Sequence, residues 1–207
     1  MKIFLILASL LAVGCAPDPG PTNDDVGTRR NPSNFGNCSA PVDLRLDPDG
    51  RRAQLLADVI YTDSKGSVWR APKGHVVDGA SIPRAFWRVI GGPWEGKYRF
   101  ASVVHDVACD EKKRGWDDAA KMFYEAMRCS GVTERQAKVM YYAVYKFGPQ
   151  WGPSARAPRV KERSRGPEES QGTLPPPATD EDVERVLNFV DTMNPTLQQI
   201  ETEASRR

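Results

Sequence analysis

The chain has 207 residues, 40% of them apolar and 27% charged, and 29 basic against 27 acidic side chains leave a net charge of +2. That balance excludes the strongly basic footprint of a nucleic-acid binder. The length allows one domain plus tails, and much of the proline lies in two segments too poor in apolar side chains to build a core.

Residues 1–14 carry one positive charge at Lys2, a short apolar run from Ile3 to Val13, and a small residue ahead of Cys15. The run is well short of the ~20 residues that a membrane-spanning helix needs, so the pattern is that of an export signal peptide. Leu11-Ala-Val-Gly-Cys15 resembles a bacterial lipoprotein signal, in which the cysteine is lipidated and becomes the new N-terminus. Ala16 in place of an aspartate resembles the outer-membrane sorting signal. Together they imply a lipid anchor at the periplasmic face of the outer membrane, with the membrane and an envelope protein or lipid as partners. Residues 15–38 follow as a flexible tether, because so polar a stretch cannot offset the entropy of ordering it.

The core is expected in residues 39–151. Val42-Asp-Leu-Arg-Leu46 alternates with period two and ends at the turn signal Asp47-Pro-Asp-Gly50; Ala53 to Thr62 reads as one longer strand; Ser67 to Ala71 is a third strand, stopped by Pro72-Lys-Gly74. From His75 to Trp87 the pattern is neither strand nor helix, and Phe86 with Trp87 pins a short helical turn. Three helices follow: Lys97 to Asp110, Asp117 to Cys129 with Phe123, Ala126 and Met127 as its apolar stripe, and one opened by the capping pattern Thr133-Glu-Arg-Gln136. The fold class is therefore α+β, a small antiparallel sheet followed by a three-helix layer. Residues 152–180 form a second polar linker, whose Arg156, Arg159, Lys161, Arg163 and Arg165 read as a solvated basic stretch. Residues 181–207 form an amphipathic helical tail interrupted by Pro195.

With Cys15 assigned to lipid, Cys38, Cys109 and Cys129 remain for disulfide chemistry in an oxidising compartment. Cys109 and Cys129 end antiparallel helices at opposite ends, too far apart for the roughly 4.4–6.8 Å Cα spacing of a bridge. Cys38 is expected to pair with one of them and leave the other as a thiol.

His75 and His105 are the only histidines, which constrains any imidazole chemistry. A hydrolase-like site would use His105 as base with Asp106, Asp78 and Ser81 around it. Asp106 is the candidate ligand for Ca²⁺, with carbonyls of the Gly91–Gly96 stretch assisting. Val104 to Cys109, with an acidic start to the next helix, is similar to secreted bacterial phospholipases A2. Ser81 as a nucleophile oriented through Asp78 or Asp118, or a metal-dependent phosphohydrolase site of His75, His105, Asp106 and Asp118, are further arrangements of the same groups. The rival class is a non-catalytic envelope binding or structural module. In it His105 is a buried structural residue bonded to an acid from Asp78, Asp117 or Asp118.

Gly74, Asp78-Gly-Ala-Ser81-Ile-Pro83, Phe86-Trp87, His105-Asp106, Trp116, Phe123 to Met127, Gly131-Val132 and Met140 to Trp151 resemble, in this order and spacing, the domain-of-unknown-function 1353 family of bacteria and bacteriophages. The resemblance implies one α+β domain, no established activity, and a spatial cluster of Asp78, Ser81, His105 and Asp106. This chain carries Ala119 and Ala120 where members often place an acid.

Overall fold

The computed structural model describes residues 34–39, 41–79, 81–92, 94–152 and 176–206. The signal sequence, Cys15 and the basic stretch within 153–175 lie outside the described residues.

Strand alternation builds the first layer. In β4 (Val59–Thr62) Val59 and Tyr61 are buried and Ile60 is exposed; in β5 (Val68–Ala71) Trp69 and Ala71 turn inward while Val68 and Arg70 face out. The turn between them is closed by Asp63, whose side chain accepts the main-chain N–H groups of Lys65 (3.0 Å) and Ser67 (2.8 Å). β1 (Asn37–Cys38) pairs with the other side of β4, which gives one antiparallel sheet in the order β1-β4-β5. β2 (Leu44–Leu46), β3 (Ala53–Leu55) and β6 (Val76–Val77) form a second, ordered β2-β3-β6.

The single strand expected over Ala53 to Thr62 is thus two strands in two sheets. The break is set by partners outside the segment. The Leu56 N–H turns back to the Asp43 carbonyl at 2.9 Å, and the Asp58 carboxylate is drawn out to the Arg70 guanidinium and the Lys73 N–H, the latter at 2.8 Å. The folded unit also begins before residue 39. The Tyr61 hydroxyl donates to the Phe35 carbonyl at 2.7 Å, Gly36 adopts φ 81°, and a Cβ there would lie 2.1 Å from the Thr62 carbonyl oxygen. Cys38 is bonded to Cys129, with their Cα atoms 6.3 Å apart, and Cys109 is the free, buried thiol. The bridge ties the first strand to the end of a helix 91 positions away.

The second layer is helical. α1 (Arg84–Ile90) buries Phe86 and Ile90; α2 (Arg99–Glu111) packs against the sheets on one side and α3 (Trp116–Cys129) on the other; α4 (Glu134–Phe147) lies beyond α3. Asp117 and Asp118 stand in the first turn of α3, where they complement the helix dipole. Thr133 accepts the Gln136 N–H at 3.3 Å and so caps α4. The tail holds two helices, α5 (Asp180–Met193) and α6 (Leu197–Ala204), each opened by a complete capping box, Thr179 with Asp182 and Thr196 with Gln199.

The tail is docked on α4. Val183, Val186, Val190 and Ile200 are buried in the common core, and the Tyr141 hydroxyl donates to the buried Glu201 carboxylate at 2.8 Å. Lys138 donates to Asn194 at 2.8 Å, and Arg135 forks onto Asp191 at 2.6 and 2.7 Å. Among the described residues no helix is long and apolar enough to cross a membrane.

Candidate functional site

His105, Asp106 and Cys109 project from α2, and the loop from Asp78 to Pro83 crosses it. Gly79, at φ 64°, directs its N–H onto Asp106 Oδ2 at 2.7 Å; a side chain would strain that left-handed backbone. Two residues on, Ser81 Oγ donates to Asp106 Oδ1 at 2.6 Å and lies 3.0 Å from His105 Nδ1. Cys109, one turn along the helix, places its sulfur 3.7 Å from the same nitrogen and 3.9 Å from Nε2. From α3, the Phe123 ring covers the imidazole with centroids 4.9 Å apart. The exposures of His105, Ser81 and Asp106 are 3%, 4% and 5%, so the whole chain of polar groups is interior.

Burial sets the ionisation. It depresses the His105 pKa to about 4, so the ring is neutral at pH 7. It raises the Asp106 pKa to about 7, an effect opposed by the Ser81 and Gly79 donors and reinforced by the charges of Asp78 and Asp110. Burial, with Asp106 and Asp110 nearby, also pushes the Cys109 thiol up, away from thiolate formation.

These states impose a direction on the chain. With Asp106 ionised, His105 Nδ1–H donates to Ser81, whose hydroxyl donates to the carboxylate. With Asp106 protonated, the order can reverse: carboxyl to Ser81 Oγ, Ser81 O–H to a bare Nδ1. A hydroxyl that both donates and accepts makes either order complete.

Of the expected site residues, the fold brings Ser81, His105 and Asp106 together. The group bonded to His105 is Ser81, not an acid from Asp78, Asp117 or Asp118. Asp78 is exposed at the start of the loop and acts on Asp106 through its charge. Asp118 is exposed on α3, and His75 pairs with Asp110 at 3.0 Å, near the surface.

Asp106 does not fit a calcium ligand. Both of its oxygens are already faced by donors, whose positive ends would repel a cation. Among the described residues no group of three or more His, Cys, Asp or Glu side chains could hold a metal ion. In the Gly91–Gly96 stretch the Gly92 carbonyl is engaged by the Tyr98 hydroxyl at 2.5 Å and the Glu95 N–H at 3.0 Å.

Two features escaped the sequence reading. Cys109 lies against the imidazole, which its i+4 spacing from His105 on one helix could have signalled. A surface furrow also opens beside β5, where the Arg114 guanidinium stacks 4.1 Å above the Trp69 ring and the Trp69 indole N–H reaches Asp63 at 3.1 Å. Arg114 lies far from Asp63 and Trp69 in sequence, so the furrow carries no local signature.

Residues 53–144 match the family described as "Protein of unknown function (DUF1353)". Two similar proteins come from Sinorhizobium fredii (strain NBRC 101917 / NGR234). The "Uncharacterized protein y4jT" is 46% identical over 119 residues, covering 56% of this chain and 35% of that protein. The "Uncharacterized protein y4iH" is 42% identical over 104 residues, covering 50% of this chain and 44% of that protein. The match thus spans less than half the length of either relative. No solved structure matches the chain.

Proposed function

We propose that the chain is a lipid-anchored envelope protein whose α+β domain is a non-catalytic binding module, with Ser81, His105 and Asp106 acting as an internal latch. One observation carries the reading: the imidazole is 3% exposed, neutral, and packed against Phe123, Ser81 and Cys109. A general base must reach the proton that it abstracts directly or through one water. What the cluster does accomplish is to hold the Asp78–Pro83 loop on α2 through the Gly79 N–H and the Ser81 hydroxyl. Buried polar groups satisfied in this way fix one arrangement of a loop that has little regular structure of its own.

Histidine modification tests the latch. Diethyl pyrocarbonate should derivatise His75 alone in the native protein and both histidines after unfolding. Modification of His105 in the folded protein would return the Ser81–His105 contact of 3.0 Å to a catalytic role. The anchor is tested separately, by incorporation of labelled palmitate in a bacterial host. Cys15→Ser should abolish the label and release the protein from the membrane fraction; retention of the label in that variant would sink the anchor.

A further inference from the structure

β5 is the edge of its sheet, and its outer side carries main-chain groups suited to a further strand. The Val68 carbonyl points away from β4, because it accepts the Arg114 Nη2–H at 3.0 Å. Val68 and Arg70 stand opposite Thr62 and Ile60 in the antiparallel register. Residues two apart on a strand direct their N–H and C=O groups the same way, so those of Arg70 also face outward. Among the described residues no hydrogen bond other than those within the strands engages them.

Alongside this edge runs a furrow of about 450 Å³, walled by Val104 and Ala108 of α2 and Ala119 of α3, with Arg70, Lys113 and Arg114 on its rim. The volume falls within the ~300–1,000 Å³ of ligand-sized clefts. Glu111 is the acid on the lining, against three cations, and it pairs with Lys113 at 2.9 Å. Arg70 is engaged by Asp58. Arg114 is exposed, with its guanidinium 4.1 Å from the Trp69 ring centroid and one N–H on the Val68 carbonyl, which leaves its other N–H groups for a carboxylate.

We propose that this edge and furrow bind a short extended acidic peptide segment of a partner protein by strand addition. Its main chain pairs with Arg70, its apolar side chains enter the furrow, and a carboxylate meets Arg114. The proposal rests on the binding-module reading and assigns that module its site and partner class.

The test uses the full chain in detergent and the pentapeptide Ac-Glu-Val-Glu-Val-Glu-NH₂, with the Lys-for-Glu counterpart as the opposite-charge probe. Addition of the acidic peptide should shift the Val68 and Arg70 amide resonances and slow hydrogen exchange at the Arg70 amide. Arg70→Pro removes the outward donor while leaving the β4 ladder intact, since proline is tolerated where a strand N–H faces solvent. It should weaken binding by about tenfold, the scale of one lost main-chain hydrogen bond, whereas Arg70→Ala, which keeps the donor, should weaken it by less than about threefold. Arg114→Glu should abolish binding of the acidic peptide.

The proposal is overturned by undisturbed β5 amides, by equal affinity for the Lys peptide, or by Arg70→Pro binding as wild type does. Should Arg70→Pro fail to fold, amide protection in the wild type and the Arg114→Glu result decide. Absence of peptide binding with His105 still unreactive overturns this proposal alone; a reactive His105 in the native protein overturns the reading beneath it.

Discussion

The buried Asp106–His105 pair predicts an unusual dependence of stability on pH. Asp106 has a folded pKa of about 7 against 3.8 for a free aspartate. Between those values the unfolded chain has lost a proton that the folded chain keeps, so stability falls as pH rises, by about 1.4 kcal/mol per pH unit and roughly 4 kcal/mol over the window. His105 acts in the opposite sense. Its folded pKa is about 4 against 6.5, so the unfolded chain takes up a proton that the folded chain refuses, and stability falls by roughly 3 kcal/mol as pH drops through that interval. From pH 4 to 6.5 the two slopes cancel, leaving this pair almost silent in the wild type.

Single substitutions should expose each arm. Measured by urea unfolding at constant ionic strength, Asp106→Asn should gain stability relative to wild type as pH rises from 4 to 7, and His105→Gln should gain it as pH falls from 6.5 to 4. Difference profiles against wild type remove the carboxylates that all three proteins share. If both difference profiles are flat, the side chains are solvated in the folded state and the account of an interior latch is wrong.

Two other outcomes follow from the packing. Cys38→Ser with Cys129→Ser should lower unfolding free energy by roughly 4–5 kcal/mol in the chain-entropy treatment, because the bridge spans 91 positions. A calorimetric loss under about 1 kcal/mol would mean that the bridge is unformed or the unfolded chain already compact. Tyr141→Phe removes the hydroxyl that donates to the buried Glu201 at 2.8 Å and should cost about 1.5–3 kcal/mol. Hydrogen exchange in α5 and α6 should quicken with it; unchanged protection there would show that the Tyr141–Glu201 bond does not hold the tail.

Much of the secondary structure was legible because its causes are local. Period-two alternation with the Asp47–Gly50 turn located β2, the run Ser67 to Ala71 located β5, and the apolar spacing of Phe123, Ala126 and Met127 located α3. The assignment of Ala53–Thr62 to one strand failed because its break depends on Asp43, Arg70 and Lys73, none of them in that segment. β1 and β6 have two residues each and exist through their pairing with β4 and β3, so nothing in their own sequence announces them.

The site divides along the same line. Composition and spacing singled out Ser81, His105 and Asp106, since a chain with two histidines offers few places for imidazole chemistry and Asp-Gly-Ala-Ser-Ile-Pro is turn-forming. Only the tertiary structure decided that Asp106 binds the loop, that Phe123 closes over the ring, and that Cys129 takes the bridge while Cys109 stays reduced beside His105. Periodicity and turn chemistry act over a few residues and are written in order along the chain. Burial, which sets the charge of His105 and Asp106, is supplied by α3 and by a loop more than twenty positions away, and it exists only once those parts have packed.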